Sequence, residues 1–124
     1  MPDIPKSVHS KGLLGESLAE QHLSTLGLQC IARRYHSPYG EIDLIMLDHD
    51  VLVFVEVKFR HHGTLVSAQA AVTPAKQRRI IQTALWYLNE HPQHASRLMR
   101  FDVVSLSGES CIEHIPNAFQ GAGW

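Results

Sequence analysis

Cysteine is scarce in this chain, and net charge is nearly absent. Its two cysteines, Cys30 and Cys111, lie far apart among 124 residues and show no zinc-ligand spacing. That excludes a disulfide framework, and reduced, mostly buried thiols are expected. Lys and Arg number 11 against 12 Asp and Glu, a formal net charge of −1, so composition does not advertise a polyanion binder. No apolar run is long enough to cross a bilayer as a helix, and none follows the opening Met1-Pro2-Asp3-Ile4-Pro5-Lys6. No membrane partner and a cytoplasmic location are expected. Repeats and low-complexity stretches are absent too, and the nine histidines are scattered without ligand spacing.

What is present is a 44% apolar chain of single-domain length. Its charge is clustered locally, at Arg33-Arg34, at Lys58 to His62, at Lys76 to Arg79, and at Arg97 with Arg100. A basic rim around an acidic centre is compatible with the neutral total.

Residues 1–10 read as a loose lead-in, 11–116 as one domain and 117–124 as a tail. Leu14, Leu18, Leu23 and Leu26 recur around Ala19 at helical steps and predict a helix over about 12–26, stopped by Gly27. A strand is expected from Leu28 to Tyr35, and turn residues from His36 to Gly40. Glu41 to Leu47 and Val51 to Phe59 read as a hairpin about Asp48-His49-Asp50. The unbroken apolar start of the second strand predicts a central strand covered on both faces. A loop follows from Arg60 to Val66, then a helical turn from Ser67 to Val72. Thr73 and Pro74 fit the N-cap and first position of a helix ending near Glu90. Its expected buried stripe is Ile80, Ile81, Ala84, Leu85 and Leu88. Leu98 to Leu106 and Cys111 to Ile115 read as strands joined by a turn at 107–110. The order α-β-β-β-α-β-β predicts an α/β fold with one five-stranded sheet flanked by helices, and the second helix permits a parallel crossover.

Chemistry concentrates in Gly40-Glu41-Ile42-Asp43 and Val55-Glu56-Val57-Lys58. Glu56 and Lys58 are two apart on a strand, so both side chains share one face. Asp43 arrives from the neighbouring strand. It lies six residues before His49 and Glu56 seven after, which sets them opposite if the loop is odd in length or bulged. Two carboxylates and the Val57 carbonyl are hard oxygen ligands of the kind Mg²⁺ or Mn²⁺ takes, and Lys58 could help deprotonate a water. The same pattern also fits an i,i+2 ion pair on a solvated strand. Glu16 follows glycines early in its helix, a cost that close approach of backbone or nucleic acid would explain, though a solvated helical Glu has the same look. Lys76 and Arg79 open the second helix as candidate phosphate contacts or as a plain charged face. Arg34 and Arg60 stand behind them as further candidates.

Longer words widen the pattern. Gly12-x-x-Gly15-Glu16-x-x-Ala19, Arg34-Tyr35, Gly40-Glu41-Ile42-Asp43-Leu44-Ile45, Val53-Phe54-Val55-Glu56-Val57-Lys58-x-Arg60, Lys76-x-x-Arg79-Ile80 and Arg100-Phe101-Asp102-Val103 resemble the YraN family, uncharacterised protein family 0102. The resemblance runs from Lys11 to about Val104. That family is similar to the restriction-endonuclease-like superfamily, with archaeal Holliday-junction resolvases as the functional comparison. The resemblance implies a restriction-endonuclease-like core with a central mixed five-stranded sheet. It implies metal binding at Asp43 and Glu56, catalytic support from Lys58, and an acidic helix residue at Glu16. Ile42 stands where many superfamily members carry proline. A metal-dependent nuclease acting on DNA, branched DNA included, is the leading expectation, with RNA open and a two-fold homodimer by analogy. A non-catalytic nucleic-acid-binding module and a small protein-interaction domain are the alternatives.

Overall fold

The computed structural model describes residues 6–60, 72–107 and 111–120, with the backbone alone for 6–13. The element order is α1 (Lys6–Thr25), β1 (Gln29–Ser37), β2 (Gly40–Asp48), β3 (Val51–Phe59), α2 (Pro74–Glu90), a short 3₁₀ turn (Pro92–His94), β4 (Met99–Leu106) and β5 (Ile112–Phe119). Most of the expected loop and helical turn over 60–72, and of the turn over 107–110, lies outside the described residues, as does the end of the tail.

The five strands form one mixed sheet in chain order. β3 pairs with β4 in parallel, and the other three pairings are antiparallel. The helices cover opposite faces. Ala19 and Leu23 of α1 pack with Leu44, Met46, Val53, Val55, Val104 and Leu106. Ile80, Ala84 and Tyr87 of α2 pack with Ile45, Phe54, Phe101 and Val103. β3 is therefore covered on both sides, as its apolar run requires. This is an α/β fold with a restriction-endonuclease-like core.

Two glycines set the position of α1. Gly27, at φ 94°, closes the helix: its N–H donates to the Ser24 carbonyl, and the Leu28 N–H donates to that of Leu23. A Cβ at Gly15 would run into the Phe59 ring and sit 3.1 Å from Leu106 Cδ1, so close approach to the sheet accounts for that glycine. Gly15→Val should cost about 1–3 kcal/mol by overpacking in urea denaturation, and less in a Phe59→Ala background. An equal cost in both backgrounds would contradict this contact.

Several expectations need correction. α1 starts at Lys6, well before Gly12, so the second half of the expected lead-in is helical. In α2 the buried set is Ile80, Thr83, Ala84 and Tyr87; Ile81 and Leu88 are half-buried and Leu85 is 48% exposed. The hydroxyl of Thr83 donates to the Arg79 carbonyl and bonds Ser37 Oγ at 2.9 Å, so a polar residue is satisfied inside. β5 runs past Pro116 to Phe119, which an edge strand tolerates. Asn117, at φ 51°, turns its N–H to Asp102 Oδ1 at 2.9 Å, and Phe119 stacks on Phe101 beyond it. Cys111 is exposed and Cys30 half-buried, so mostly buried thiols are not what forms.

Candidate metal-binding cleft

The β2–β3 hairpin turns on two residues, His49 and Asp50, between the pair Asp48↔Val51. Its even loop carries the register to Leu44↔Val55 without a bulge. Extended by one step, that register would bring Asp43 level with Glu56, and the Glu56 charge is near enough to raise the Asp43 carboxyl. The odd or bulged loop expected for that alignment is not needed.

Beyond Leu44↔Val55 the two strands part, while β3 stays paired with β4 to Phe59↔Leu106. The fork leaves β3 groups without ladder partners from β2. Leu52 and Arg60 donate their N–H groups toward β4, to the carbonyls of Leu98 and Leu106. By strand parity, Val57 directs its N–H and C=O into the fork. Its N–H is satisfied by Asp43 Oδ2 at 2.8 Å. The Asp43 carboxylate thus takes the place of the missing strand partner.

Glu56 and Lys58 share the α2 face, as their spacing requires. Glu56 is 6% exposed. Lys76 Nζ lies 2.9 Å from Glu56 Oε1, and Lys58 Nζ lies 4.0 Å from the same atom. Among the described residues, Glu56 Oε2 is buried with no hydrogen-bond partner. Gly40, Glu41, Asp43, Glu56, Lys76, Arg79 and Ile80 line a cleft of about 230 Å³ at this fork.

Burial, with the Glu56 charge beside it, pushes the Asp43 carboxyl up to about 7; the Val57 N–H acts the other way. Burial lowers the Lys58 ammonium, and a hydrogen bond from Lys76 with the charge of that neighbour lowers it further. Lys76 is raised: burial opposes its charge, but Lys58, Glu56 and Asp43 outweigh that. Lys58 is therefore the readier proton acceptor of the two, and Lys76 the standing cation.

Glu16, Arg34 and Arg60 lie outside this cleft, whereas Lys76 and Arg79 line it. Arg34 adopts φ 50°, which turns it with Arg33 onto the α1 face. There Arg34 Nε donates to Glu16 Oε1 at 2.8 Å, and Arg33 makes a two-pronged pair with Glu20. Glu16 and Arg34 line a separate cleft, although the Glu16 charge still helps raise Asp43. Arg60 pairs with Glu113 of β5 at 3.8 Å. Arg79 is exposed at the cleft mouth. Lys76, expected as a phosphate contact, is in the centre of the site on Glu56. Nothing in strand or helix periodicity signals that reach; only the length of a lysine at the third position of α2 does.

Among the described residues, no three His, Cys, Asp or Glu side chains converge as a metal cluster. A hard cation needs fewer, since one or two carboxylates suffice where waters and substrate phosphate complete the shell. The residues present fit such an ion: a buried carboxylate oxygen lacks a partner, a second carboxylate lies near it, and by strand parity the Val57 carbonyl is on the Asp43 side of β3. Among the described residues, no helix is long and apolar enough to cross a membrane.

The sequence profile of the Uncharacterised protein family UPF0102 matches residues 15–106. A "UPF0102 protein" of Saccharophagus degradans is 47% identical over 108 residues, 87% of this chain and 91% of that protein. One from Rhodopseudomonas palustris is 42% identical over 111 residues, 90% and 81% of the two chains. One from Psychromonas ingrahamii is 38% identical over 121 residues, 97% and 98% of the two. The matched span runs from Gly15 at the Phe59 contact to Leu106 at the end of β4 and includes the whole fork; the chain belongs to uncharacterised protein family UPF0102.

Proposed function

We propose that this protein is a divalent-metal-dependent nuclease that hydrolyses phosphodiester bonds in DNA. The observation that carries the proposal is Glu56 Oε2, a buried carboxylate oxygen without a partner among the described residues, with the Asp43 carboxylate near enough for the two charges to repel. A buried carboxylate oxygen left without a partner is costly, and a bound cation removes the cost. Asp43, Glu56 and the Val57 carbonyl would hold Mg²⁺ or Mn²⁺. The ion would supply an acidified water and neutralise charge on the phosphate.

The remaining work falls to this chain's side chains. Lys58, with its lowered proton affinity, takes the proton of the attacking water. Arg79, at the cleft mouth, binds a phosphate oxygen and orients the backbone for in-line attack. Arg60, just past the end of β3 and paired with Glu113, lies outside the cleft and would meet the nucleic-acid backbone beyond it. Glu16 acts at one remove, fixing Arg34 behind Asp43. Resemblance to junction resolvases favours branched DNA as the substrate class.

The test is incubation of purified protein with branched, duplex and single-stranded DNA, and with RNA, in Mg²⁺ or Mn²⁺. Metal-dependent cleavage is expected, strongest on branched DNA. Salt-dependent binding of these probes without cleavage would support a non-catalytic binding module instead.

A further inference from the structure

Lys76 holds an unusual place. It is the third residue of α2, and its own N–H donates to Thr73 Oγ1. The first turn of α2 contains no acid. A cation there stands at the unfavourable end of the helix dipole. What holds it is the cleft: Lys76 Nζ is 2.9 Å from Glu56 Oε1, while Lys58, two residues from Glu56 on the same face, stays at 4.0 Å. Lys76 therefore supplies the closest positive charge to the carboxylate that a divalent ion would need.

We propose that Lys76 is a displaceable internal counter-ion, pairing Glu56 while the cleft is without metal and leaving Glu56 Oε1 when a divalent ion loads. This rests on the nuclease reading and deepens it, because it makes Lys76 the residue that sets the metal affinity of the site. A divalent ion on Glu56 Oε2 would stand close to the Lys76 ammonium on Oε1 of the same buried carboxylate, where the two cations repel strongly. Displaced, Lys76 has no acid within its own helical turn to receive it, and the way out passes Arg79 at the cleft mouth. A substrate phosphate there offers the anion that Glu56 had been. The expected phosphate contact and the observed Glu56 pair are then two positions of one side chain. Phosphate binding and metal loading favour each other through it, and that coupling is reciprocal.

The test is Mn²⁺ titration of the full chain without nucleic acid, by calorimetry, for wild type, Lys76→Met, Lys76→Gln, Lys76→Arg and Asp43→Asn, with circular dichroism confirming each fold. Lys76→Met and Lys76→Gln should bind Mn²⁺ at least about tenfold more tightly than wild type, the scale of one nearby charge removed, while Lys76→Arg stays near wild type. Unchanged or weaker Mn²⁺ binding in both neutral variants would overturn the proposal. If Asp43→Asn weakens Mn²⁺ binding but the Lys76 variants do not tighten it, the counter-ion role alone fails. If Asp43→Asn leaves Mn²⁺ binding unchanged, the ion sits elsewhere, and the nuclease site falls together with the proposal.

Discussion

Asp43→Asn should make the protein more stable at pH 8, by about 1–3 kcal/mol once the lost attraction to Lys58 and Lys76 offsets part of the gain, and hardly change it near pH 4. The cause is the raised carboxyl, carried from an ordinary value of 3.8 to about 7 by burial and by Glu56. Below 3.8 both folded and unfolded chains hold the proton, and Asp43 contributes no pH dependence. Between 3.8 and 7 the folded chain holds it and the unfolded chain does not, so stability falls as pH rises. Above 7 both are ionised, and the full cost of a buried anion is present. Asparagine keeps an oxygen for the Val57 N–H, which donates at 2.8 Å, and removes the charge. Urea denaturation at the two pH values measures the difference. Mn²⁺ should narrow it at pH 8 by stabilising the wild type alone. Equal or lower stability of the variant at pH 8 would show that the fork does not store this electrostatic strain. A gain in stability on neutralising a site residue is the usual mark of a functional group held at a cost.

The second large effect separates Glu56 from Lys58. Glu56→Gln should lower single-turnover cleavage at least about 10³-fold and weaken Mn²⁺ binding with it, since the partnerless oxygen is then an amide or a weaker ligand. Lys58→Gln should cost at least about 10²-fold in rate, within the range of a lost general base, and leave Mn²⁺ affinity no weaker than wild type. Lys58 Nζ is 4.0 Å from Glu56 Oε1, farther than Lys76 Nζ at 2.9 Å, so binding and turnover should come apart. Parallel losses of binding and rate in Lys58→Gln would remove the proton-acceptor role.

How much of this was legible in the sequence depends on range. β3 runs over Val51–Phe59 as its apolar run indicates, and Thr73-Pro74 caps α2 as expected, because both signals are local. The shared face of Glu56 and Lys58 follows from strand parity alone. The Asp43–Glu56 alignment hangs on the loop count, where Asp48 pairs with Val51 and leaves only His49 and Asp50 in the turn. Three things were not legible. Arg34 faces Glu16 because one residue adopts φ 50°, a backbone reversal that no side-chain pattern announces. Thr83 is buried where Leu85 was expected because its partner Ser37 is 46 residues away in sequence. Lys76 reaches Glu56 from a different element, so its role is a property of packing between α2 and β3.

Asp43→Asn also gives the most direct measurement of the central claim, because the variant is expected to be the better-folded protein. Single-turnover cleavage of branched DNA in Mn²⁺, wild type beside Asp43→Asn, excludes unfolding as the cause of any loss. Wild-type product that vanishes with chelator, and no product from the variant above the chelated blank, is the result this account requires. Cleavage by Asp43→Asn at the wild-type rate would contradict it.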